Sequence, residues 1–311
     1  MVSSSKPNLL KMGNSIDIHF GPPRTDEPPE YEELQALLKK FNTPEEETLV
    51  AEVRTHLKPE WISKNPELCN FISLACLRYR RYDVERAVKR MINYFDWRVV
   101  NIIEGLDEQD VSKDSLIDRV FNLNLGKLLP KLTQRGQSMV YIRIAKSRPD
   151  LFTSTEVLQQ VHYLMLAALK RSPISQVMGI ITCADLEGAT SSHLDRSLPK
   201  KIIGMVANNL PIRLAGILIC HPNIMVSIVV PLAKVFMTAK MKERLKVVGD
   251  EKELIEYYGF DVDTIPNTLG GNYVIVEDGN AMPSVMNGNG IFNRNGIEGE
   301  LVNKKDGKDG K

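Results

Sequence analysis

The chain has 311 residues, 43% of them apolar and 25% charged, and carries a formal net charge of +1. That length and apolar share can bury at least one sizeable core. A near-neutral charge excludes general nucleic-acid binding but leaves room for a local basic patch. The longest apolar runs, residues 164–169 and 224–230, fall well short of the roughly 20 residues that span a bilayer. Residues 1–20 lack the apolar core of a secretory signal, so a cytoplasmic location is expected. Cys69, Cys76, Cys183 and Cys220 form no CxxC pair and read as buried thiols. The five histidines show no HExxH spacing, so neither a metal nor a cofactor is expected.

Residues 1–30, rich in Ser, Gly and Pro, cannot offset the entropy of ordering by burial and are expected to form a disordered leader. Residues 31–105 read as a small helical domain. Within it, Thr43-Pro44-Glu45-Glu46 supplies a helix start, with an N-cap threonine, a proline at the first helical position and a glutamate at the third. Val84, Ala87, Val88, Met91, Ile92, Phe95 and Val99 recur at the spacing of one buried helical face. Asp83 is placed to cap that helix, and residues 105–114 read as its polar exit.

After Asn122 the texture changes. Short apolar runs at 139–144, 177–183 and 214–219 read as strands, and 155–170 and 198–208 as helices. Strand, helix, strand, helix, strand is the signature of parallel pairing through right-handed crossovers. The expected fold is therefore α/β: a small all-helical domain, then, over residues 118–277, a mainly parallel sheet flanked by helices. Residues 278–311, dominated by Asn, Gly, Asp and Lys, are expected to be disordered.

Few motifs carry chemistry. Gly270-Gly271 follows neither the GxGxxG nor the Walker pattern and reads as a tight turn. Asp185 and Glu187, just past a predicted strand, could serve as acid and base. No partnered histidine, metal spacing or phosphate loop accompanies them, so the expectation is no enzyme and no catalytic residues. Residues 224–237 are apolar on nearly every face, which fits either a deeply buried helix or a mobile lid, with Pro231 expected to kink or end it. Lys240, Lys242, Arg244 and Lys246 follow at once and could support weak, reversible docking on an anionic membrane.

Several segments together resemble the CRAL-TRIO lipid-binding family. The segment Cys76-Leu77-Arg78-Tyr79-Arg80-Arg81-Tyr82-Asp83-Val84-Glu85-Arg86-Ala87 is similar to the signature of the family's N-terminal helical domain. Met139 to Ala145, Ala184-Asp185-Leu186-Glu187-Gly188, Leu210-Pro211-Ile212-Arg213, Ile219-Cys220-His221-Pro222, Lys242-Glu243-Arg244-Leu245 and Ile265 to Gly271 then follow in the family's order. The likeness is greatest to the animal branch that holds α-tocopherol transfer protein and cellular retinaldehyde-binding protein. It implies an apolar cavity with a sheet floor and helix walls, closed by a movable gate helix over about residues 223–236. The gate residues are Val226, Ile228, Val229, Leu232 and Phe236. It also implies phosphoinositide contacts at Arg78, Arg80, Arg213, Lys240, Lys242 and Arg244.

Alternation, periodicity and the family pattern together nominate the cavity wall. From the strands and their approaches come Ile142, Ile144, Ile180, Thr182, Ile212, Leu214 and Ile217. The helices add Leu158, Val161, His162, Met165, Met205, Val206 and Leu210, and His162 or Thr182 is expected to hold a polar end of the ligand. The expected function is binding a hydrophobic small molecule, such as a tocopherol, retinoid or other isoprenoid, and carrying it between membranes with phosphoinositide-assisted docking. The alternative is a phosphoinositide or lipid sensor that acts as a protein-interaction module. Expected partners are the apolar ligand and an anionic membrane surface, with no nucleic acid.

Overall fold

The structure, a computed structural model, describes residues 41–101, 123–249 and 251–275. The expected leader (1–30), the polar exit (105–114) and the expected tail (278–311) lie outside the described residues.

Four helices open the described chain: α1 (Pro44–Arg54), α2 (Pro59–Lys64), α3 (Pro66–Tyr79) and α4 (Val84–Asn101). Proline stands at the start of the first three, where its missing N–H costs nothing. The Thr43 hydroxyl accepts from the Glu46 amide at 3.4 Å, and Asn65 caps α3 through the Leu68 amide at 2.8 Å. Asp83 accepts from the Arg86 amide at 3.1 Å, which is the cap expected from sequence. Ala87, Met91 and Phe95 are buried on the predicted face of α4, whereas Val99 is 61% exposed.

The α/β part is a five-stranded sheet in the order β1 (Gly126–Leu128), β2 (Ser138–Arg143), β3 (Ile180–Asp185), β4 (Leu214–Cys220), β5 (Leu245–Val247). β1 is antiparallel to β2, and each later strand is parallel to the one before it. The connections carry α5 (Ser154–Arg171), α6 (Pro173–Met178), α7 (Leu198–Gly204) with a wider π turn over Met205–Asn209, α8 (Val226–Phe236) and α9 (Ala239–Glu243). α10 (Glu251–Tyr258) follows β5. Thr153 and Glu156 form a reciprocal capping box at the start of α5.

Three expectations shift in detail. Val177 belongs to α6 instead of the strand, because Ser172 caps that helix and Pro173 opens it. The two three-residue strands, β1 and β5, are too short to show alternation. Pro231 lies inside α8 without ending it; the Ser227 carbonyl simply loses its helical donor.

Alternation gives the sheet two distinct faces. Met139, Tyr141, Ile181, Cys183, Leu218 and Cys220 pack under α10 and the closing segment with Leu254, Tyr258, Phe260, Ile265 and Leu269. Val140, Ile180 and Leu214 face the other way, into a cluster shared with α3, α4, α5 and the π turn. One apolar core thus runs from the N-terminal helices into the sheet. A register shift beside Ile180 places Ile181 opposite Gly216. A β-carbon at Gly216 would lie 3.0 Å from the Tyr258 ring. Gly216→Ala is therefore expected to cost about 1–3 kcal/mol by overpacking, read as a lower urea midpoint at unchanged m-value.

The expected tight turn at residues 269–271 is present. Gly270 adopts φ +85°, a conformation most side chains avoid, and a β-carbon at Gly271 would run into the Ile265 backbone.

Candidate functional site

The inner face of the sheet is sealed at one end and accessible at the other. Val140 and Ile180 are fully buried, while Ile142, Thr182, Ala184 and Ile217, further along the same face, are half-buried. Opposite them lies α8, whose eleven residues include only two polar ones, Ser227 and Lys234, and none of which is buried. Val226, Val229 and Val230 rest against Leu186, Ala189, Ile219 and Met225. Ala233 and Phe236 touch the main core. An apolar helix in a closed core is normally buried, so the buried-helix reading of this segment is corrected. Ile228 (41%) and the preceding Ile224 (79%) face water instead.

The remaining nominated wall residues divide by depth. Leu158, Val161, Met165, Met205, Val206, Leu210, Ile212 and Leu214 are buried in the packed core, and Ile144 is half-buried beside α8's cluster. His162 is 1% exposed. Its ring stacks on Tyr94 at 5.9 Å and lies 5.5 Å from Trp97, with Nε2 3.3 Å from the Tyr94 hydroxyl. The imidazole therefore belongs to the seam between α4 and α5, a correction to its expected place at a ligand's polar end. Residues 157–169 of α5 are buried on every face, so periodicity could not tell which face His162 takes. Thr182 is the nominated polar group on the half-buried inner face.

The nominated cations also divide. Arg78 is buried and doubly bonded to Glu46, with Nε 2.9 Å from Oε1 and Nη2 2.6 Å from Oε2. Its Nη1 donates to Gln176 at 2.9 Å and its guanidinium stacks on Phe41. Every direction in which it could meet a headgroup is taken, which removes Arg78 from the phosphoinositide set.

Arg80 instead stacks on Tyr79 at 4.7 Å. Arg90, which sequence reading missed, stacks on the same ring at 5.1 Å and donates to the Tyr79 hydroxyl at 3.1 Å. Arg90 interrupts the apolar face of α4, the one signal that could have singled it out. Burial, then the charges of Arg244 and Arg81, lower the pKa of Arg213 to about 9. Burial also lowers Arg244, whose Nη1 donates to the Leu214 carbonyl at 2.5 Å. Lys240 and Lys242 stand exposed on α9. The chain so gathers partly buried guanidiniums from the end of α3, from α4 and from the residues that precede β4 and β5, with two lysines beside the end of α8.

Asp185 and Glu187 do not form an open acid–base pair. Asp185 is 3% exposed and accepts from the Tyr141 hydroxyl and from the Glu187 amide at 2.9 Å. His221 Nδ1 lies 2.7 Å from Oδ1, the oxygen that also accepts from the Glu187 amide, while Tyr141 donates to Oδ2. Burial, then the Asp185 hydrogen bond, pushes the Tyr141 hydroxyl up.

Residues 127–271, which hold the sheet, α8 and most of these groups, match the sequence pattern of the CRAL/TRIO domain. The likeness to the CRAL/TRIO domain covers this whole segment. Alpha-tocopherol transfer protein-like of Mus musculus is 26% identical over 227 residues, covering 71% of this chain and 64% of that protein. The proteins of the same description from Pongo abelii and Homo sapiens give the same figures. The chain thus spans about 64% of the length of the curated relatives it matches. The crystal structure of Sfh5 superposes with a TM-score of 0.48 at 13% identity, covering 70% of this chain and 85% of that one. CRAL/TRIO proteins typically bind and transport lipophilic small molecules. Among the described residues no helix is long and apolar enough to cross a membrane.

Proposed function

We propose that this chain binds one apolar, lipid-like molecule between the inner sheet face and α8, and exchanges it at an anionic membrane surface. The observation that carries this reading is α8 itself: an almost wholly apolar helix with no buried residue, lying over half-buried apolar strand residues. A lipid of about sixteen methylenes costs on the order of 12 kcal/mol to expose to water, at about 0.8 per methylene. A carrier must therefore enclose it, and an enclosed site needs a movable wall. α8, with Val226, Ile228, Val229, Leu232 and Phe236 along it, is that wall in this proposal, and Ile142, Ile144, Thr182 and Ile217 line the floor.

Docking is assigned to Lys240 and Lys242, with Arg80, Arg213 and Arg244 behind them as the contacts for a phosphoinositide headgroup. Attraction to the membrane brings the exposed Ile228 of α8, and Ile224 just before it, to the interface. There they lose less by leaving the protein than they would in water. The relatives' description points to a tocopherol-like isoprenoid as cargo, and the proposed location is cytoplasmic with reversible membrane contact. No step of this cycle makes or breaks a covalent bond.

The test is purification under native conditions followed by lipid extraction and mass spectrometry. One apolar species at about one per chain supports the carrier. A stable, monodisperse protein without lipid, which also fails to take up tocopherol or retinoid from vesicles, rules it out.

A further inference from the structure

Asp185 closes β3, Glu187 stands in the turn that follows, and His221 is the first residue after β4. Parallel pairing of β3 with β4 sets Asp185 beside Cys220, so the three side chains meet although 36 positions separate the first from the last. One ligand atom from each lies within 4.8 Å of the other two. Two ligands about 2.1 Å from a shared ion are at most about 4.2 Å apart. Closing that difference takes a swing of the exposed Glu187, and seating the ion spreads His221 Nδ1 and Asp185 Oδ1 from 2.7 Å to about 3.4 Å, the separation of two tetrahedral ligands about 2.1 Å from their ion.

The geometry points to a divalent transition-metal site formed by Asp185, Glu187 and His221 at the root of α8. The buried Asp185 carboxylate is oriented beforehand by Tyr141, whose hydroxyl also meets Thr268 Oγ1 at 2.9 Å. Such outer hydrogen bonds fix a ligand before the ion arrives. His221 Nδ1 and Asp185 Oδ1, at 2.7 Å, share one proton. An ion entering between them takes that proton's place, and the neutral imidazole then carries its hydrogen on Nε2.

One nitrogen and two carboxylates suit Zn²⁺, Mn²⁺ or Co²⁺ better than the all-oxygen preference of Ca²⁺ or Mg²⁺. The His221 side chain is 35% exposed, which leaves one side open for water to complete the coordination. Sequence spacing hid this set, since no two of its members stand at a helical ligand spacing.

The test is equilibrium dialysis of the full chain against zinc chloride with elemental analysis, and visible absorption after loading with Co²⁺. The expected result is one zinc per chain and a cobalt d–d band. Glu187→Gln and His221→Asn should each weaken zinc binding at least tenfold. Glu187 is exposed, so its amide variant keeps the fold; an unchanged melting curve in chelator checks this. Absence of retained zinc, or zinc retained equally by both variants, overturns the assignment. Because the readout needs no lipid, its failure is separate from any failure of the carrier reading.

Discussion

Glu46→Ala is expected to cost about 3–5 kcal/mol of folding stability, because it leaves the Arg78 guanidinium buried without its counter-charge. Arg78 is 1% exposed at its side chain and Glu46 5%. The carboxylate also accepts from the Tyr82 hydroxyl and the Asn42 amide, each at 2.5 Å. Losing it takes the acceptor from four donors of three residues at once. Urea unfolding followed by circular dichroism measures the change, and a loss under about 1 kcal/mol would show that water reaches the pair.

The same group sets an acid limit. Burial pushes the Glu46 carboxyl up, but Arg78 and Tyr82 outweigh it, so its folded value lies below the ordinary one. A depressed carboxylate adds stability that is complete above its unfolded value of about 4.3. That contribution is lost as pH falls through the folded value. The parent should therefore lose stability below about pH 4.3, and Glu46→Gln should flatten that part of the profile.

Removing both exposed cations of α9, in Lys240→Ala/Lys242→Ala, is expected to reduce affinity for anionic vesicles about thirty-fold. Each lysine near such a surface contributes about 1 kcal/mol, and about 1.4 kcal/mol is a factor of ten. Ligand retention in solution should be unchanged, since neither side chain faces the sheet's inner surface. Vesicle co-sedimentation at several salt concentrations reads the effect. Equal binding by parent and variant, at low salt, would remove α9 from the docking surface.

Much of this architecture can be read from local chemistry. Thr43-Pro44 and Asp83 announce helix starts because capping needs only neighbours in sequence. The central strands stand out because their branched residues alternate or run together. What escapes is anything decided by a second element. Arg78 and Arg80 sit two residues apart in one basic stretch. Only the arrival of α1 with Glu46 separates a structural arginine from one left at a cluster of like charges. His162 looks like a cavity residue until α4 brings Tyr94 and Trp97 against it. Asp185 and His221 meet through strand pairing alone, and the open face of α8 depends on how far its neighbours stand from it.

The four thiols carry a practical consequence. Cys69 and Cys76 lie in α3, Cys183 and Cys220 in β3 and β4, and all are buried. Burial pushes Cys76 up to about 12 and raises Cys183 as well, so in the native fold neither presents the thiolate that an alkylating reagent attacks. Modification then waits on local opening. Two reporters stand in the helical layer and two in the sheet. The order in which a maleimide reaches them, resolved by peptide mapping, is a clock for which layer of the molecule yields first.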